Sequence, residues 1–123
     1  MGNWPALALD VICILVFAIV GRSSHGEASD LLGVLRTAWP FVAGGLLGML
    51  IGRTWRHPST LTAGVYVWLS TVIVGIVLRL VTGAGAPVSF IIVTTVVLGA
   101  FLLGWRAGLR AVQAARLRRS HPA

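Results

Sequence analysis

Asp10, Glu27 and Asp30 are all the carboxylates this chain has for acid–base, cation-binding or ion-pair chemistry. Only Asp10 falls inside a hydrophobic run, L-A-L-D-V-I-C. A carboxylate at mid-helix in a bilayer costs up to ~3 kcal/mol on insertion scales, and less near an edge. Counting from the start of its run, Asp10 lies about five residues in, or ~7.5 Å deep at helical rise. Two readings follow. Asp10 is either a protonatable station or cation ligand, or one half of a structural ion pair that closes a helix bundle. The second reading needs an arginine at the same depth. Arg53, Arg56 and Arg106 qualify, whereas Arg79 is separated vertically by on the order of 20 Å.

Arg79 is the only charge in the run from Thr60 to Thr82 and sits one turn from its end. An ionised guanidinium there must reach the interface or meet an acid. Arg22, His25, Glu27 and Asp30 fall on its side of the chain. These residues form either a snorkelled arginine held by loop acids, or an outward-facing anion or headgroup site built from Arg22, His25 and Arg79.

Other chemistry is poorly supplied. In Ser23-Ser24-His25 the nucleophile and base are sequence neighbours with no acid to orient them, which is not a triad geometry. His25, His57 and His121 lack metal-ligand spacing, and Cys13 has no second cysteine to pair with. No Walker-type glycine loop is present. The expectation is a protein that is not an enzyme, with no catalytic residue, no metal and no cofactor.

The elements that carry these residues are hydrophobic helices. Hydrophobic residues make up 57% of the 123-residue chain and charged residues 11%, against roughly 45–50% and 25% in soluble domains. The Thr60–Thr82 run covers ~34 Å, enough for a ~30 Å bilayer core. Three further spans read as Pro5–Val20, Trp39–Ile51 and Val88–Trp105. Asp30–Arg36 reads as a short interfacial turn between spans one and two. Arg53–Ser59 is a tight basic turn, and Thr82–Pro87 an uncharged one. The fold class is therefore all-α: a four-transmembrane-helix bundle over residues 1–106, with a basic tail over 107–123.

Span two carries Gly44, Gly48 and Gly52 at four-residue spacing, two consecutive G-x-x-x-G units on one face. Such a face admits another helix backbone to backbone. We expect it to be a packing seam, open to a helix of the same chain or of a partner.

Every basic residue is arginine, and the net charge is +7. Arg53, Arg56, Arg106, Arg110, Arg116, Arg118 and Arg119 fall on one side of a four-span topology; Arg22, Arg36 and Arg79 fall on the other. This bias places both termini in the cytoplasm, with the tail near anionic lipids. Positive charge that follows topology in this way does not call for nucleic acid. The start, M-G-N-W-P, lacks a basic n-region, so a cleaved signal peptide is not expected.

Five separated stretches occur in order: D-V-I-C-I-L-V-F-A-I-V-G-R-S-S-H-G-E, W-P-F, G-V-Y-V-W-L-S-T, L-R-L-V-T-G-A-G-A-P-V-S-F and L-L-G-W-R. Together they resemble a family of small bacterial and archaeal four-helix membrane proteins catalogued as a domain of unknown function. The resemblance spans Leu7 to Arg106. It implies a four-span membrane domain and carries no activity, substrate or ligand set. The expected role is an accessory or assembly subunit of a larger membrane complex in the cell membrane. The alternative is a small transporter or channel subunit acting as a homo-oligomer, with Asp10 and the Arg79 cluster as polar stations.

Overall fold

The computed structural model describes residues 4–24 and 31–120, the side chains of 22–24 and 120 excepted. Four helices follow in order: α1 (Trp4–Ser24), α2 (Leu31–Gly52), α3 (Leu61–Val81) and α4 (Val88–Ser120). Each is long and apolar enough to cross a membrane. Local sequence sets several boundaries. Pro5 lies in the first turn of α1, where its missing N–H costs nothing. Thr60 caps α3, its hydroxyl accepting from the Ala63 N–H at 3.1 Å while donating to the His57 carbonyl at 2.9 Å. Between α3 and α4 the chain turns through Gly83 and Gly85 at φ +82° and +80°, a region that side chains with a Cβ rarely enter.

The second helix departs from expectation. Residues 31–36, read above as an interfacial turn, are the first turns of α2, and Pro40 lies inside the helix instead of opening it. Proline in a helix interior removes one hydrogen bond and crowds the preceding turn. Packing offsets that loss, because Val34 and Ala38 are buried against Ala18 of α1. The first span is likewise longer than read, reaching Ser24. At the other end α4 runs unbroken through residue 106, so the division between bundle and tail falls within one continuous helix.

Successive helices are antiparallel. Phe17 of α1 meets Phe41 of α2 edge-on at 5.4 Å between ring centroids. Ser70 of α3 donates to the Gly44 carbonyl of α2 at 2.7 Å. Trp68 of α3 donates its indole N–H to the Thr95 carbonyl of α4 at 2.9 Å, and a Cβ on Gly99 would lie 3.0 Å from that indole nitrogen. Between the ends, Ile14, Phe41, Val67, Leu98 and Leu102 fill the centre with no exposed surface. The bundle thus has two distinct ends. One holds Asp10, the loop 53–60 and Arg106; the other holds the start of α2, Arg79 and the 82–87 turn.

The glycine seam is occupied within the chain. A Cβ at Gly44 would meet the Ser70 carbonyl oxygen at 2.8 Å, one at Gly48 the Tyr66 carbonyl oxygen at 2.8 Å, and one at Gly52 the Tyr66 ring at 2.7 Å. α3 therefore fills the seam at backbone distance. Of the two occupants left open above, the seam takes a helix of the same chain, and no partner helix can lie in a groove already filled by α3.

Candidate functional site at the Asp10–Arg106 end

Asp10 and Arg106 form a fully buried pair, both with 0% exposure. The geometry is bidentate: Arg106 Nη1 donates to Asp10 Oδ1 at 2.8 Å and Nη2 to Oδ2 at 2.7 Å. Parallel N–H donors matched to both carboxylate oxygens make the strongest form of this contact. Trp105 Nε1 adds a third bond to Asp10 Oδ1 at 2.9 Å. Two further guanidinium donors turn to backbone: Nε reaches the Pro58 carbonyl at 2.8 Å and Nη1 the Leu102 carbonyl at 2.9 Å.

Desolvating two charges is costly, and a buried pair is tolerated only when its other polar directions are also satisfied. Here they are. The arrangement joins α1 and α4 and pins the loop 53–60 to both. α1 and α4 pack together least among the neighbouring helix pairs, so the charge pair is a principal tie between them. Gly64 of α3 makes room for it: a Cβ there would lie 2.8 Å from Arg106 Cδ. The Trp105 ring shields the guanidinium, with Cζ 4.4 Å from the ring centroid.

Of the three arginines within reach by depth, the structure places Arg106 on Asp10. Arg53 and Arg56 are exposed on the adjoining loop. Arg53 adopts φ +48°, an uncommon value for a residue with a side chain, as the chain leaves α2. Trp105, Pro58 and Gly64 were not singled out from sequence. The W-R dipeptide at the end of a hydrophobic span was a usable signal for Trp105; an accepting carbonyl on a loop proline leaves none.

At the opposite end Arg79 donates from Nε to the Gly85 carbonyl at 2.9 Å and from Nη2 to the Ala84 carbonyl at 3.4 Å. Its Cζ stands 4.5 Å above the Phe90 ring. A cavity of about 450 Å³ here is lined by both Arg36 and Arg79, with Thr94 among its apolar neighbours. His25, Glu27 and Asp30 lie outside the described residues, as does the Arg22 side chain. Among the described residues, no group of three or more His, Cys, Asp or Glu side chains is placed to hold a metal ion.

Four helices long and apolar enough to cross a membrane, fastened at one end by a buried ion pair, define a small all-helical bundle. A family model described as "Protein of unknown function (DUF3054)" matches residues 7–109, and the chain belongs to that family. No curated protein and no solved structure matches the chain.

Proposed function

We propose that the protein is an accessory or assembly subunit of a membrane complex, seated in the cytoplasmic membrane with both termini inside. The observation that carries this reading is the closed interior. Asp10, the one carboxylate within a span, has both oxygens engaged by Arg106 and Trp105. Thr71 returns its hydroxyl to Val67, and Ser70 donates to Gly44. Among the described residues, the apolar centre between the two ends offers no continuous chain of polar groups along which an ion could exchange its hydration shell, Thr94 standing alone there with a buried hydroxyl. A scaffold needs none.

With the α2 seam filled by α3, docking falls to another face. Ala100, Gly104 and Gly108 recur at four-residue spacing on the exposed side of α4. A Cβ at Gly104 or Gly108 would meet nothing within 4 Å. Small residues in register are what a transmembrane partner helix needs for close approach. The test is native gel electrophoresis of gently solubilised, tagged protein. A discrete species larger than the protein's own oligomers is expected, lost in Gly104→Leu while thermal stability is kept. A parent that forms only self-oligomers and carries solute flux in proteoliposomes would instead establish the transporter alternative.

A further inference from the structure

We propose that the cleft between the end of α2, the loop 53–60 and the start of α3 is a binding site for a phosphate group, borne either by a free anion or by an anionic lipid headgroup. The cleft encloses about 420 Å³ and is lined by Arg53, Thr54, Arg56, His57 and Tyr66. Three observations converge on it.

The first is uncompensated charge. Arg53, Arg56 and His57 face the cleft, and Asp10, the acid at this end, is already bound to Arg106. The other two acids of the chain belong to the α1–α2 connection, whose flanking residues Ser24 and Leu31 lie at the far end of the bundle.

The second is order. The loop is held by a network, not left loose: the Thr54 N–H donates to the Met49 carbonyl at 3.0 Å, and the Arg56 N–H to the Arg53 carbonyl at 3.1 Å. Arg106 Nε holds the Pro58 carbonyl, and Thr60 ties His57 to the α3 cap. Two guanidiniums on a fixed loop lose less freedom on binding than two on a mobile one.

The third is a donor without a partner. Thr54 lines the cleft, is 1% exposed, and its hydroxyl oxygen has no hydrogen-bond partner among the described residues. A buried unmatched hydroxyl is costly, typically by ~1–3 kcal/mol, and calls for an explanation. A ligand oxygen supplies one. Two arginine forks lining one cleft with Thr54, which lies between them in sequence, suit a tetrahedral oxyanion, with its several acceptor oxygens, better than a halide. The Tyr66 ring, which lies against Gly52, walls the side facing α3.

Calorimetric titration of the detergent-solubilised full chain tests this, with inorganic phosphate and a short-chain phosphatidylglycerol as probes. Saturable binding at one site per chain is expected for at least one of them. Binding of inorganic phosphate identifies a soluble ligand; binding of phosphatidylglycerol alone identifies a headgroup. Arg53→Gln with Arg56→Gln should weaken binding at least tenfold, while Arg116→Gln with Arg118→Gln, an equal loss of charge, should change it less than twofold. Thr54→Val should weaken binding threefold or more, yet leave the melting temperature of the ligand-free protein unchanged or raised, because it removes an unmatched buried hydroxyl. Equal losses in the two double variants, unchanged affinity in Thr54→Val, or no saturable binding of either probe would overturn the proposal.

Discussion

At the scale of the residue, Asp10 and Arg106 are each other's counter-charge in a site closed to solvent. Asp10→Asn would leave a guanidinium at 0% exposure without its counter-charge. Breaking a buried pair from one side typically costs 3–5 kcal/mol, whereas an exposed pair contributes about 0.2–1 kcal/mol. We expect Asp10→Asn to lose ~3–5 kcal/mol in unfolding titrations with denaturing detergent. Replacing both partners by apolar residues, Asp10→Leu with Arg106→Met, should recover most of that loss, since neither charge is then left alone. A stable Asp10→Asn protein would show that the carboxylate is not what holds Arg106. Part of this pair was legible in the sequence. Depth along a helix ruled out Arg79 and left Arg53, Arg56 and Arg106. Choosing among them requires knowing which helix stands beside α1. The Pro58 carbonyl was out of reach, because it meets Arg106 only across a loop whose path no periodicity encodes.

At the scale of the element, the approach of α2 to α3 is set by glycine. The spacing of Gly44, Gly48 and Gly52 revealed a seam, since residues four apart share a helix face. It did not reveal the occupant, because the complementary face of α3 is a mixed row of Tyr66, Val67 and Ser70 with no repeat of its own. Gly64, Gly75 and Gly99 were illegible as packing sites; each is solitary, Gly64 making room for Arg106 and Leu103, Gly75 for Phe41 and Gly99 for Trp68. Gly48→Leu should be severe. Its first added carbon would already sit 2.8 Å from the Tyr66 carbonyl oxygen, and backbone cannot rotate aside. We expect a loss of at least ~3 kcal/mol, at or above the upper end of ordinary overpacking. Gly104→Leu, facing open space on α4, should leave unfolding within about 0.5 kcal/mol of the parent. A reversed order of these two variants would mean that the seam lies on α4 and not between α2 and α3.

At the scale of the whole molecule, the bundle is polar in its charge distribution, and this sets its expected orientation. Helix number and fold class were plain from hydropathy, because a run that spans ~30 Å of hydrocarbon leaves a long, unambiguous signal. Orientation depends on a weaker quantity, the arginine bias between the two ends. Arg53, Arg56, Arg106, Arg110, Arg116, Arg118 and Arg119 all belong to the Asp10 end or to the helix that leaves it. Arg106 is neutralised within the bundle, so six of these seven arginines bear on the surrounding surface. α4, at 33 residues, is about 50 Å long at ~1.5 Å per residue, so its last turns project beyond a ~30 Å core. That projection carries Arg110, Arg116, Arg118 and Arg119, each worth ~1 kcal/mol against an anionic leaflet. Arg22, Arg36 and Arg79 belong to the other end. On the positive-inside rule, the proposed orientation has the loop 53–60 in the cytoplasm and the 82–87 turn outside. Single cysteines at Ser59 and Ala84, each in a Cys13→Ser background, make the test direct. With a membrane-impermeant thiol reagent applied to intact cells, the Ala84→Cys protein should label and the Ser59→Cys protein should label only after the membrane is opened. The reverse pattern would invert the orientation and move the basic cleft to the outer surface. Labelling of both from one side is incompatible with α3 crossing the membrane between them.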